Sequence, residues 1–246
     1  YFKNNERFDD EELLEFASEL NLTNVNPLSI NLFIDEMSNL HESFGYNDFN
    51  ISYNLKIFED TNTAEIYFEF EEGKITKVNN IYFVGNNNTD NRDLKSLIKT
   101  KTKSIINIFA NNNFKKYQVE NDIRLIKNYY KQEGYRDIDV NTTIEYLTTN
   151  KVNIYFNLIE GNLYKFKEIR FLDDNNLLDN TIINQINYLI KDNIKENESY
   201  SFDKINKLNK ILTDYIIQNG AEFFEIDSLE KIEDNKVSVL YNLKNI

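Results

Sequence analysis

Apolar and polar residues alternate with period two in paired runs that recur along this chain. The clearest pair lies near the middle. Ile138, Val140, Thr142, Ile144 and Tyr146 alternate with Asp139, Asn141, Thr143 and Glu145. After a polar turn at 148–151, Val152, Ile154, Phe156 and Leu158 alternate with Asn153, Tyr155 and Asn157. Such alternation predicts two strands, each with one face buried and one wet. Just before them the period changes. Val119, Ile123, Ile126 and Tyr130 recur every three or four residues, which puts them on one face of a helix over 117–133. Gly134 suits the left-handed position just past a helix end. A shorter helix is predicted over 90–98, with Asp90 as its N-cap. Ahead of it, Ile81 and Phe83 mark a short strand that ends at Gly85-Asn86. The order is β-α-α-β-β, an α+β unit in which both helices must cover the single apolar face of a three-stranded sheet.

The unit repeats. Glu72-Gly73 precedes KITKVNNIYFVGN, and Glu160-Gly161, 88 positions on, precedes NLYKFKEIRFLDD. The ending of the phrase recurs at Tyr1-Phe2-Lys3-Asn4-Asn5. Gly45-Tyr46, Gly134-Tyr135 and Gly220-Ala221 close long helical patterns at spacings of 89 and 86. A fixed period of this kind sets the architecture, here three copies spanning 1–73, 74–161 and 162–246. In the first copy a helix starts near Asp9, which makes a capping-box spacing with Glu12. Asn26-Pro27 opens the second helix, whose inner stripe is Ile30, Ile34, Met37, Leu40 and Phe44. Strands follow over 49–58 and 64–71. The third copy has helices over 179–190 and 202–218 and strands over 222–232 and 237–243. In the first of these strands the alternation breaks at Asp227 to Leu229, which predicts a β-bulge. No Ser/Gly/Pro-rich linker separates the copies, so the connections have short reach.

Composition narrows the function. With 41% hydrophobic and 14% aromatic residues the chain can fill small cores. Its net charge of −13 disfavours nucleic acid and anionic lipid surfaces, which both require clustered Lys and Arg. It has no cysteine, which excludes disulfides and thiolate chemistry. No apolar run approaches the roughly 20 residues of a membrane helix. The chain starts inside its own repeat, as an excised piece of a longer protein would.

The whole set of landmarks closely resembles tandem polypeptide-transport-associated (POTRA) domains. The residues that carry the resemblance are Glu72-Gly73 with IYFVGN, Asn128-Tyr129-Tyr130 through Gly134-Tyr135, and Glu160-Gly161 with Tyr164 and Ile169-Arg170-Phe171. The match covers essentially the whole chain. The inter-helix segment 99–113 and the stretch NYYKQEGY look most like the third domain of an outer-membrane β-barrel assembly factor, making the copies its second, third and fourth. Departures are Ala221 in place of Tyr46 and Tyr135, Asp173-Asp174 in place of Gly85-Asn86, and Thr76 in place of Tyr164.

The resemblance implies a mixed sheet in each copy with the last strand central, so that the middle strands lie at an edge. It also implies a periplasmic location and a non-enzymatic role, without cofactor or metal. The implied partners are unfolded outer-membrane proteins, accessory assembly lipoproteins and the chain's own C-terminal membrane β-barrel, absent from this sequence. TamA-like proteins and two-partner secretion transporters share the fold, and a purely structural spacer is a further alternative.

An unpaired edge accepts an added strand through backbone hydrogen bonds. The candidate edge residues are Ile51, Tyr53 and Leu55, then Ile138, Val140, Thr142 and Ile144, then Phe224 and Ile226. A second candidate is the apolar run Ile105, Ile106, Ile108 and Phe109, either tucked against its own domain or open to a partner. The lone histidine, His41, reads as a partly exposed structural residue, since no second His or Cys completes a zinc site. The Asp- and Asn-rich stretches at 86–93 and 173–179 read as turns and N-caps, because neither has EF-hand spacing. The acidic run at 9–12 reads as a solvated first turn that compensates the helix dipole.

Overall fold

The computed structural model describes residues 1–22, 25–103, 111–147, 150–174, 176–219 and 224–245. Three successive β-α-α-β-β runs appear in it. The first is β1 (Phe2–Lys3), α1 (Asp10–Glu19), α2 (Pro27–Phe44), β2 (Asn50–Phe58) and β3 (Thr63–Glu71). The second is β4 (Lys77–Val84), α3 (Asn91–Leu97), α4 (Lys116–Gln132), β5 (Asp139–Leu147) and β6 (Lys151–Ile159). The third is β7 (Lys165–Leu172), α5 (Asn180–Asn193), α6 (Phe202–Gln218), β8 (Phe224–Glu233) and β9 (Lys236–Asn245).

Local chemistry sets the helix ends. Asp9 accepts the Glu12 backbone N–H while Glu12 accepts that of Asp9, so the capping box is complete. Asn26 caps α2 ahead of Pro27, which has no N–H to leave unpaired. Asp179 accepts from Thr181 and Ile182 and starts α5.

The three sheets share one topology, β1-β3-β2, β4-β6-β5 and β7-β9-β8. The last strand of each run is central, parallel to the first and antiparallel to the middle one in the outer two sheets. This is the mixed α+β arrangement that the resemblance implied.

By internal contacts the chain divides into two compact units. One comprises Tyr1–Val84, Asn91–Ile123 and Thr142–Phe156. Its core gathers Leu13 of α1, Ile30, Phe33 and Met37 of α2 and Phe68 and Phe70 of β3. The other comprises Gly85–Asp90, Arg124–Asn141 and Asn157–Ile246. Its core packs Ile186 and Ile190 of α5 and Leu208, Leu212 and Ile216 of α6 on Val237, Val239 and Tyr241 of β9.

Two expectations change. β8 pairs with β9 without interruption from Phe224↔Asn245 to Glu233↔Lys236, so it has no bulge. The irregularity lies in β7, between Phe166 and Glu168. The break in alternation involves no extra residue: Asp227 lies on the wet face, where Lys244 of β9 pairs with it, and beyond it Ser228 takes an inward position while the apolar Leu229 is left exposed. The second change concerns His41, which is fully buried rather than partly exposed. Its ring lies on Phe49, with centroids 3.8 Å apart. Its Nδ1 is 2.8 Å from the Met37 carbonyl.

Candidate functional site

The outer strands were the first candidates, and the fold places them at edges. Among the described residues β2 pairs only with β3 and β8 only with β9, while β5 ends the order of the middle sheet. Their side chains do not form one continuous exposed row. Ile51, Ile138 and Val140 are buried, with Ile138 just ahead of β5. Leu55, Thr142, Ile144, Phe224 and Ile226 are half-buried, and the last two pack on the core beneath β9. Tyr53 alone of the candidates is exposed, at 44%. What the edges offer is therefore main-chain hydrogen bonding with few side chains. The run Ile105, Ile106, Ile108 and Phe109 lies outside the described residues.

The structure gives the repeated Glu-Gly phrase a physical role that sequence reasoning had missed. Glu72 and Glu160, each just past the end of a central strand, are only 8% and 7% exposed. Buried carboxylates survive when hydrogen bonds replace their water. Glu72 Oε1 accepts the Arg7 backbone N–H at 2.8 Å and lies 3.5 Å from His41 Nε2. Glu160 accepts the Asn88 backbone N–H at 3.0 Å, the Asn88 side-chain amide at 2.6 Å and the Tyr130 hydroxyl at 2.8 Å.

Arg7 and Asn88 both lie in the loop after the first strand of their copy. His41 and Tyr130 both lie near the end of the second helix, 89 positions apart like Gly45 and Gly134. Glu160 thus ties a strand end, a loop and a helix end together by hydrogen bonds, while Glu72 bonds the loop and only approaches the helix end at His41. Burial, and then the bond to Glu160, raises the pKa of the Tyr130 phenol far beyond the usual tyrosine value, which keeps it a hydrogen-bond donor. In the third copy the equivalent helix position is Ile216, fully buried, and Asn245 stands at the position of the glutamate. The paired signal in the sequence was the joint recurrence of Glu-Gly and of a polar ring on the helix.

The same phrase fixes how one copy follows the next. In the first compact unit the Thr76 N–H donates to the Gly45 carbonyl at 2.9 Å, and the Phe114 N–H donates to the Thr76 carbonyl at 2.8 Å. The Asn113 side-chain amide donates to the Phe44 carbonyl at 2.7 Å, and Lys116 pairs with Glu42 at 2.6 Å. In the second unit the equivalent Tyr164 N–H donates to Gly134 at 2.9 Å, and the Tyr200 N–H donates to Tyr164 at 2.9 Å. The Tyr164 hydroxyl donates to Asp137 at 2.7 Å. Arg136 pairs with Glu230 of β8 at 2.6 Å and lies over the Tyr200 ring, 4.5 Å from its centroid. The Tyr200 hydroxyl donates to the same Glu230 at 2.5 Å. Thr76 and Tyr164 differ in side chain yet make the same main-chain bond, so this departure leaves the joint intact.

The start of β5 carries an exposed ion pair, Lys127 to Asp139 at 2.9 Å. The hydrogen bond from Lys127, with its charge, holds the Asp139 carboxyl below the ordinary aspartate range. A carboxylate lowered in the folded state contributes stability above its unfolded pKa, and that contribution is lost as pH falls through the lowered value. Lys127→Met should raise the Asp139 midpoint toward that of a free side chain in an NMR pH titration of its carboxyl carbon. An unchanged midpoint would show that Lys127 is not the cause.

The acidic stretches serve the backbone. Asp173 accepts from the Leu177 and Leu178 N–H groups, and Asn86 donates to the Thr89 carbonyl. No group of three or more His, Asp or Glu side chains suited to a metal occurs among the described residues. No helix of the described residues is long and apolar enough to cross a membrane.

Residues 76–161 match the POTRA family, described as "Surface antigen variable number repeat". The outer membrane protein assembly factor BamA of Buchnera aphidicola subsp. Acyrthosiphon pisum is 31% identical over 170 residues, which is 65% of this chain and 26% of that protein. BamA of Nitratidesulfovibrio vulgaris is 21% identical over 216 residues, 86% of this chain and 27% of that protein. The chain thus spans about a quarter of the length of these two curated relatives. Among solved structures, Haemophilus influenzae BamA POTRA3-5 aligns over 99% of this chain and 94% of its own, at 17% identity and a TM-score of 0.48. The family match places a POTRA domain at 76–161, and the sequence similarity with the thrice-repeated β-α-α-β-β topology makes the chain as a whole similar to the tandem POTRA domains of BamA-like proteins.

Proposed function

We propose that this chain is part of the periplasmic arm of an outer-membrane β-barrel assembly factor, with domains at 1–73, 74–161 and 162–246. Its work is to hold unfolded outer-membrane proteins and accessory lipoproteins near a membrane barrel carried by the rest of the protein. The observation that carries this reading is the outer strand that follows the second helix in every copy, which among the described residues ends its sheet with one edge unpaired. Backbone pairing at such an edge tolerates many side-chain sequences, which suits a varied set of extended clients. Binding of this kind requires no cofactor and no chemical step.

A crosslinking scan along β5, from Asp139 to Leu147, with an unfolded barrel peptide tests the reading. Crosslinks should concentrate on alternate positions of the strand. Equal yields on the helices would sink it.

A spacer is the second reading, supported by the hydrogen bonds that tie Thr76 to Gly45 and Tyr164 to Gly134. A spacer sets distance without holding clients, so the same scan separates the two.

A further inference from the structure

The three edges are chemically unequal, and the inequality points to one of them. The registers identify equivalent positions. Ile51, Tyr53, Leu55 and Ile57 of β2 lie opposite Phe70, Phe68, Ile66 and Ala64. Ile226, Ser228, Glu230 and Ile232 of β8 lie opposite Leu243, Tyr241, Val239 and Val237. Both sets face the helix-covered side, because their partners Phe68, Phe70, Tyr241 and Leu243 are core residues. On β2 this set is wholly apolar. Two of its members stay open, Tyr53 at 44% and Ile57 at 64% exposure, although they sit on the inward face. On β8 the same face carries Ser228 and Glu230, and Glu230 is engaged by Arg136 and Tyr200 from the preceding joint.

Charge separates the strands in the same order. The segment NISYNLKIF of β2 has no carboxylate and one lysine, within a chain of net charge −13. β5 carries Asp139 and Glu145. β8 carries Glu225, Asp227, Glu230 and Glu233 against one lysine. Charged residues, inward-pointing ones above all, are how sheets close an edge to an added strand. Like charges directly opposite one another across strands are also destabilising.

Building on the edge-binding reading above, we propose that β2 is the docking edge for an extended amphipathic strand, and that β8 is closed by the Arg136–Glu230–Tyr200 contact. The occupant is an unfolded segment with apolar side chains at alternate positions. Its apolar side chains lie beside Tyr53 and Ile57 and its polar ones beside Ser52 and Asn54.

The test is amide NMR on the whole isotope-labelled chain with a peptide of about ten residues, the length of a barrel strand, alternating Val or Tyr with Thr or Ser. Amides of 50–58 should shift while those of β8 stay in place. Ile57→Glu, at an exposed position, should weaken binding by about tenfold or more, with the rest of the spectrum unchanged. Glu230→Leu, which gives β8 the apolar character of Leu55, should bring β8 amides into the response. Shifts on β5 or β8 of the unaltered chain with β2 silent would overturn this assignment and leave edge binding standing, as would Ile57→Glu without effect. Silence at every edge would overturn the edge-binding reading itself.

Discussion

Gly85→Ala is expected to destabilise this chain by about 4 kcal/mol, the sum of two costs. Gly85 has φ +88°, a region that costs an L-residue roughly 1–2 kcal/mol. A Cβ built there would also lie 2.1 Å from the Leu158 carbonyl oxygen, a backbone atom of β6. Main chain cannot swing aside as a side-chain tip does, so the turn and the central strand must part. Overpacking of that kind costs roughly 1–3 kcal/mol more. Gly73→Ala is the control. It has φ +69°, but its new Cβ would meet nothing nearer than Asp48 Cβ at 3.4 Å, an ordinary contact. Its loss should be about 1–2 kcal/mol. Urea denaturation of the two variants beside the parent measures the difference. Equal losses would mean that the close approach of Gly85 to β6 contributes nothing.

Glu160→Ala should cost about 3 kcal/mol. It removes the acceptor of three hydrogen bonds, and bonds to charged groups are worth roughly 1.5–3 kcal/mol each. The sum is smaller than three such bonds because the Asn88 groups are only part-buried and can reach water. Tyr130 cannot, since its ring is fully buried. Tyr130→Phe alone should cost about 1–2 kcal/mol, and the double variant much less than the two losses added. Residues sharing one network show coupling of roughly 0.5–3 kcal/mol in a double-mutant cycle. Additive losses in urea denaturation would show that Tyr130 and Glu160 act independently and that the carboxylate does not bind the helix end to the strand end.

Much of the architecture could be read from local pattern. The period-two runs at 138–147 and 152–158 became β5 and β6 because a half-buried strand must alternate. The stripe of Val119, Ile126 and Tyr130 became the buried face of α4 for the same kind of reason at period 3.6. Asp9, Glu12 and Asn26 reach only two or three residues along the chain, so their capping bonds could be anticipated. The candidate edge set fared differently. Ile51, Ile138 and Val140 belong to edge strands but point into the core, and sequence position does not separate the two conditions.

The amino-acid sequence by itself therefore determined the repeat, the order of elements in each copy and the likeness to tandem POTRA domains. These rest on short-range periodicity, caps and a Glu-Gly phrase that recurs 88 positions on. The tertiary structure decided what that phrase does. Glu72 and Glu160 meet partners 65 and 72 residues away, Arg7 and Asn88, and Glu160 also meets Tyr130. Arg136 meets Glu230 across 94 residues. Whether a glutamate lies in water or is enclosed and hydrogen-bonded depends on which distant groups the fold brings to it. No local pattern carries that information, because a solvated carboxylate and a buried one are spelled with the same residue.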